Sequence, residues 1–268
     1  MVQNLYDYGL NLENLYGRNT IGNTGVGENS LLFWIDTLCC PAIDGPGKRL
    51  AISKLVNVYR GAKHVLVLDV SLTSYSSAPM SLSEKLLRIF TSPWMRRLWT
   101  LQEGALASSL YFQFADQAIS LIALEKEINS GILFTDMRTR AVCEDMQNEL
   151  CRLITFINPK RTPLSGGESL VLAHLDQALQ NRGVSDPSDE PLCIATLLDL
   201  DLKAVLHVEP KTQEQRMRKI WELIDEKYVG IPPGVTFFLG ERLESKGWRW
   251  APKSLLDPGG YREINPFV

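Results

Sequence analysis

Two short, unbroken apolar runs that each end in an aspartate constrain the fold of this chain more than any other feature. The first run covers residues 31–36 and ends at Asp36, and the second covers residues 64–69 and ends at Asp69. Runs of this kind are typical of strands that are buried on both faces of a parallel sheet. Between them, apolar residues recur at helical spacing over 51–62. The order strand, helix, strand predicts a right-handed βαβ unit.

The rest of the chain predicts further helices and one more strand. A helix is expected at 83–89, a longer helix from Pro93 to about 107, and a third strand at 109–114. Beyond it the chain is predicted to be mostly helical. The predicted segments are about 117–129, 141–157, 168–181, 190–205 and 212–227, with a short strand at 236–239. The fold class is therefore α/β, with a parallel sheet flanked by helices and a helical C-terminal region.

The length of 268 residues suits one large domain or one domain with an appendage. We divide the chain into an irregular segment at 1–30, an α/β domain at 31–138 and a mostly helical region at 139–268 that packs on it. Composition does not shift sharply near 135–140, so this boundary rests on the change in the predicted elements.

Composition and motifs exclude several classes of function. The net charge of −3 leaves no basic footprint for nucleic acid. No apolar run approaches the ~20 residues of a membrane-spanning helix. Five cysteines without a C-x-x-C pair, together with the lack of a signal peptide, predict a cytoplasmic protein. Neither a phosphate loop nor an H-E-x-x-H motif occurs, so no metal site and no cofactor are expected.

Two candidate site residues are the aspartates that close the apolar runs. Because ligands of open α/β sheets bind at the carboxyl ends of the strands, Asp36 and Asp69 are expected at one rim of the sheet. The alternative is that each aspartate caps the turn or helix that follows it.

The helix predicted from Pro93 carries the most informative side chains. At about 100° per residue its aliphatic residues share one side, and Arg96, Trp99 and Glu103 share the other. An indole beside a carboxylate could hold a flat cationic ring next to an acid. The alternative is that Trp99 belongs to the core and Glu103 pairs with an arginine on the surface.

Several segments resemble the fungal heterokaryon-incompatibility (HET) domain family. Residues 33–41 resemble its W-I-D-x-L-C segment, and residues 51–69 resemble the helix and strand that follow it. Residues 92–103 resemble its W-x-x-R-x-W-T-x-Q-E signature. Residues 189–195 and 246–252 also look like segments of one fungal subgroup, so the resemblance reaches most of the chain.

The resemblance implies a fold and an activity. HET domains are implicated in self/non-self recognition and programmed cell death, and their fold is related to the flavodoxin-like TIR domain. Many TIR enzymes cleave NAD at the nicotinamide–ribose bond, with a glutamate four residues after a tryptophan. The resemblance thus nominates Glu103 as the catalytic residue and NAD as a substrate. Trp99, Arg96, Asp36 and Asp69 are the expected substrate-binding residues. Partners would be a second copy of the chain or a receptor-type signalling protein.

One departure from the family leaves the function open. HET domains begin with a strand that ends in a Ser-x-x-Trp-Gly-like turn, and residues 1–30 contain no such strand. Without it, an exposed edge or groove is expected beside the strands that hold Asp36 and Asp69. The chain is therefore an NAD-cleaving cell-death effector, a non-enzymatic signalling module or an inactive, truncated remnant.

Overall fold

The computed structural model describes residues 34–41, 45–129, 178–228 and 240–256, together with a few single residues at 172, 175, 176, 231 and 235. The described residues form a mixed α/β arrangement, in which helices outnumber the strands of one small sheet. In chain order the elements are α1 (Asp36–Cys39), α2 (Pro46–Gly61), β1 (Val65–Val67), α3 (Val70–Thr73), α4 (Leu82–Thr91), α5 (Pro93–Arg96), α6 (Leu98–Leu106), β2 (Leu110–Gln113), β3 (Ala118–Ser120), α7 (Leu121–Asn129), α8 (Glu190–Leu197), α9 (Leu202–Leu206) and α10 (Gln213–Tyr228). A 3₁₀ turn at Pro187–Asp189 leads into α8.

The sheet has the strand order β1-β2-β3. β1 runs parallel to β2, with Val67 opposite Phe112. The predicted α/β class is confirmed, but the described sheet is mixed and not parallel throughout, because a tight reversal after β2 brings β3 back beside it. β3 runs antiparallel to β2, with Ile119 opposite Phe112. The helix predicted from residue 117 is wrong over its first turn. There the backbone N–H of Phe114 donates to the carbonyl of Gln117, so the chain reverses and pairs as β3 before α7 begins.

The strand predicted to end at Asp36 is not found in the described residues. Residues 31–33 lie outside them, Trp34 and Ile35 belong to no strand, and Asp36 is the first residue of α1. The N–H groups of Cys39 and Cys40 donate to the carbonyls of Ile35 and Asp36, which closes a helical turn. A carboxylate is favourable in the first turn of a helix. Within the described sheet, β1 pairs only with β2 and forms an edge.

The helix predicted from Pro93 to about 107 is two helices, α5 and α6, separated at Arg97. Arg97 has extended backbone angles (φ −89°, ψ 136°). The N–H of Leu98 donates to the carbonyl of Gly183, and the N–H of Gly183 donates to the carbonyl of Arg96, both at 2.8 Å. These two bonds form a parallel bridge with a distant part of the chain. The helix therefore breaks where a tertiary partner supplies its backbone hydrogen bonds.

One hydrophobic core extends from α2 to the C-terminal segment of the described residues. Within it, α6 packs on α8, and α8 packs on α10. Helices α4 and α10 agree with prediction, whereas the helix predicted at 190–205 is divided into α8 and α9 by a turn in which Asp199 has a positive φ of 53°. The helix predicted at 141–157, the strand at 236–239 and the boundary near 135–140 lie outside the described residues.

No helix in the described ranges has both the length and the apolar character required to cross a membrane.

Candidate functional site around Glu103

The carboxyl group of Glu103 lies where α2, α5 and α6 meet. Its Oε2 accepts a hydrogen bond of 3.2 Å from the indole Nε1 of Trp94 on α5. The hydroxyl of Tyr59 on α2 is close enough to the same carboxyl for each group to shift the pKa of the other. Glu103 is half-buried, whereas Tyr59 and Trp94 are buried. We call these three residues the Glu103 cluster.

The local sequence explains how Tyr59 and Trp94 reach Glu103. Tyr59 continues the buried face of α2, on which Leu55 lies one turn earlier and Ile52 two turns earlier. The indole of Trp94 packs edge-on against Phe112 of β2, with ring centroids 5.6 Å apart at 88°. Packing therefore fixes the positions of the Trp94 indole and the Tyr59 ring without any ligand.

The electrostatics of the cluster leave Glu103 close to its titration midpoint at neutral pH. Burial is the largest influence and raises the pKa of Glu103 to about 7. The hydrogen bond from Trp94 opposes burial and lowers this pKa. The charge of Asp36 raises the pKa, whereas Arg97 and the Tyr59 hydroxyl lower it. Burial and, secondly, the nearby Glu103 carboxylate raise the pKa of Tyr59 above its usual range, so its hydroxyl stays protonated. A carboxyl of this kind can accept or donate a proton near pH 7.

Asp36 and Arg97 are exposed residues whose charges act on Glu103. The cluster thus has an acid and a cation beside it at the protein surface. Asp36 acts on the cluster from the first residue of α1 and not from the end of a strand.

Asp69 has a structural role that matches the capping alternative. Its Oδ1 accepts hydrogen bonds from the backbone N–H (2.9 Å) and the hydroxyl (2.7 Å) of Ser71, which caps α3. Its Oδ2 accepts a hydrogen bond of 2.9 Å from the backbone N–H of Trp94. Asp69 is buried and ties the end of β1 to the start of α5. It thereby positions Trp94.

Trp99 and Arg96 have other partners than the sequence suggests. The indole Nε1 of Trp99 donates to Oδ2 of Asp189 at 2.9 Å, and this bond joins α6 to the turn before α8. The guanidinium of Arg96 donates to the carbonyl of Phe90 and lies over the Phe90 ring, 4.4 Å from its centroid. The expected common face of Arg96, Trp99 and Glu103 is wrong for Arg96, because the helix stops there.

Sequence reasoning missed Trp94, Tyr59 and Arg97. A signal for two of them was present, since the W-x-x-R-x-W-T-x-Q-E pattern has Trp94 and Arg97 at its first two fixed positions. Tyr59 looked like one more residue of an amphipathic helix, and periodicity alone does not distinguish a packed tyrosine from one that donates to an acid.

Among the described residues, no group of His, Cys, Asp and Glu is arranged to hold a metal ion. An open pocket of about 570 Å³ lies elsewhere, on the C-terminal segment. It is lined by Glu244, Lys246, Gly247, Arg249 and Trp250, and none of these belongs to the Glu103 cluster. The pocket and the perturbed carboxyl are therefore two separate features.

A scan of protein-family models, a search of curated proteins and a search of solved structures each return no match for this chain.

Proposed function

We propose that the chain is a HET-domain protein of fungal self/non-self recognition, with a TIR-like fold, that promotes cell death by cleaving NAD at the nicotinamide–ribose bond. The observation that carries the proposal is the carboxyl of Glu103, which accepts a hydrogen bond of 3.2 Å from Trp94 and whose pKa burial raises to about 7. The signature at residues 92–103 supports it, since that pattern ends at the same glutamate.

In the proposed reaction, the ionised Glu103 stabilises the oxocarbenium-like ribose that forms as the glycosidic bond weakens. The bond between ribose C1′ and the pyridinium nitrogen breaks, and its electron pair stays on the nitrogen, so that nicotinamide leaves as a neutral molecule. A water oxygen forms the new bond to C1′. The water proton passes to the Glu103 carboxylate and then to solvent, which leaves ADP-ribose as the second product.

The neighbours of Glu103 have distinct roles in this proposal. Trp94 orients the carboxylate through its indole hydrogen bond, and the Tyr59 hydroxyl beside it lowers the pKa of Glu103. Arg97 is an exposed cation suited to the NAD pyrophosphate, and the exposed Asp36 is suited to ribose hydroxyls. NAD is the substrate, and the reaction as written requires no cofactor.

The decisive experiment measures nicotinamide release from NAD by the purified full chain and by Glu103→Gln. We expect the substitution to lower kcat/KM at least a hundredfold, about 2.7 kcal/mol in the activation free energy. Glu226→Gln is the matched control, because it makes the same chemical change at an exposed position of α10. Induced expression in yeast should lower cellular NAD for the wild type and for the control variant, but not for Glu103→Gln. Equal cleavage by wild type and Glu103→Gln, or none by the folded wild type, would refute the proposal.

A non-enzymatic interaction module is the second candidate, and exposed apolar residues beside β1 favour it. Val70 is 78% exposed and Leu68 is 49% exposed, on either side of the buried Asp69. Apolar side chains of this size at a sheet edge are suited to self-association. A light-scattering concentration series on the wild type and Val70→Asp tests this candidate. A strict monomer in both proteins would rule out self-association through these residues.

A further inference from the structure

The segment 246–252, singled out by its sequence, has no part in the Glu103 cluster. It forms a compact double turn, in which the N–H of Trp248 donates to the carbonyl of Ser245 and the N–H of Ala251 donates to the carbonyl of Trp248. Gly247 has a φ of +86°, a conformation that favours glycine. The indole Nε1 of Trp250 donates to the carbonyl of Gly247 at 3.1 Å. The aromatic side chain is thus tied to its own turn.

Helix α10 holds this turn in place. Trp221 is fully buried, donates from its indole Nε1 to the carbonyl of Pro252 at 2.9 Å, and meets the Trp250 ring edge-on with centroids 6.0 Å apart. Oε1 of Glu214 accepts hydrogen bonds from the backbone N–H groups of Glu244 (3.0 Å) and Ser245 (3.2 Å). The turn is therefore pre-organised on a rigid element.

The open pocket of about 570 Å³ lies on this turn. Its lining combines the half-buried indole of Trp250 with two exposed cations, Lys246 and Arg249. Neither cation forms an ion pair with any residue in the described part of the chain. Glu244 is the acid in the lining. The volume is in the range of sites for small organic ligands.

We propose that this pocket binds a free mononucleotide, with the base against the indole of Trp250 and the phosphate at Lys246 and Arg249. Bases stack on ordered aromatic side chains, and arginine and lysine are the usual partners of phosphate. Glu244 is placed to accept a hydrogen bond from a ribose hydroxyl or an exocyclic amino group. The net charge of −3 disfavours a long polyanion. The site is independent of NAD cleavage, because it shares no lining residue with the Glu103 cluster.

The test is isothermal titration calorimetry of the full chain with AMP, adenosine and inorganic phosphate. AMP should saturate a single site, whereas adenosine and phosphate should each bind at least tenfold more weakly, since each carries one half of the recognised chemistry. The double variant Lys246→Glu, Arg249→Glu should weaken AMP binding at least tenfold. Lys203→Glu, the same charge reversal at an exposed position outside the pocket, should leave it unchanged. Thermal melting establishes that each variant is folded.

Three results would overturn the proposal: no saturable AMP binding, AMP binding that survives the double charge reversal, or tighter binding of a single-stranded decanucleotide than of AMP. Loss of AMP binding in Glu103→Gln would also overturn it, because the ligand would then belong to the Glu103 cluster. AMP contains no nicotinamide–ribose bond, so failure here and failure of NAD cleavage are distinguishable.

Discussion

Burial and hydrogen bonding act in opposite directions on the carboxyl of Glu103. Burial favours the protonated acid, whereas the indole donor of Trp94 and the nearby Tyr59 hydroxyl favour the carboxylate. Burial prevails, and the resulting pKa of about 7 is the property that makes this residue a candidate for chemistry. Asp69 contributes at the same scale by fixing the backbone of Trp94.

The raised pKa of Glu103 predicts a pH-dependent stability that Glu103→Gln removes. The folded value of about 7 exceeds the reference value of 4.5 for the unfolded chain, so the folded state binds the proton more tightly. This group therefore lowers the free energy of unfolding as pH rises from about 4.5 to 7, by about 3 kcal/mol. In urea unfolding, the free energy of unfolding of Glu103→Gln relative to that of the wild type should be higher at pH 8 than at pH 4.

Glu226→Gln is the control for this measurement and should follow the wild type at both pH values. The same pH dependence in wild type and Glu103→Gln would contradict the raised pKa.

Trp94, rather than Trp99, should control the titration of Glu103. Trp94→Phe removes the indole donor, so the pKa of Glu103 should rise by roughly one unit. Trp99→Phe makes the same chemical change at an indole that donates to Asp189, and it should leave that pKa nearly unchanged. An NMR pH titration of the Glu103 carboxyl carbon measures both. A larger effect from Trp99→Phe would reverse this assignment.

Among the elements, the break between α5 and α6 has the greatest consequence for the site. It directs Arg96 to Phe90 and leaves Arg97 beside Glu103. The buried guanidinium of Arg182 supports the break: its Nη1 donates to the carbonyl of Arg97 at 3.0 Å, and its Nε donates to the carbonyl of Ala178 at 3.2 Å. One side chain thus joins the break to a helical segment from later in the chain.

Arg182→Leu should destabilise the protein by about 2–4 kcal/mol, because the buried carbonyl of Ala178 and the partly buried carbonyl of Arg97 lose a charged donor. Gly183→Ala is the neighbouring control and should change the free energy of unfolding by less than about 0.5 kcal/mol, since a Cβ there meets nothing within 4 Å. Urea denaturation followed by tryptophan fluorescence measures both variants. Equal changes in the free energy of unfolding for Arg182→Leu and Gly183→Ala would show that Arg182 does not stabilise the break between α5 and α6.

At the scale of the whole molecule, the α/β part and the C-terminal helices share one core. Within the C-terminal part, buried Glu190 joins α8 to α10 and to residues 254–255: its Oε1 accepts from the N–H of Leu255 at 2.6 Å, and its Oε2 accepts from Gln213 and Ser254 at 2.9 and 2.8 Å. Burial raises the pKa of Glu190 despite these donors, which lower it. A shared core predicts that both parts unfold together.

Glu190→Ala should lower the free energy of unfolding by about 3 kcal/mol or more, because several buried donors lose their acceptor. Glu226→Ala, at an exposed position of α10, should change it by less than about 1 kcal/mol. Differential scanning calorimetry should show one cooperative transition for the wild type and for both variants. Two separate transitions would mean that the parts fold independently, and broad, non-cooperative melting would favour the inactive remnant.

Much of the framework could be predicted from the sequence because its signals are local. The apolar runs ending at Asp69 and near Phe114 located two strands, and helical periodicity located α2, α4 and α10. A local pattern also drew attention to Glu103, through the tryptophans and arginines that precede it.

By itself, then, the sequence determined the places of two strands, most of the helices and the glutamate at the centre of the candidate site. Only the tertiary structure decided which tryptophan binds Glu103, where the helix from Pro93 breaks, and how far burial raises the carboxyl pKa. The break between α5 and α6 depends on backbone hydrogen bonds with residue 183. The contact of the Trp94 indole with Glu103 depends on Asp69 and Phe112, which hold Trp94 in place. Contacts between residues far apart in the chain leave no periodic pattern in the sequence, which is the physical reason for this division.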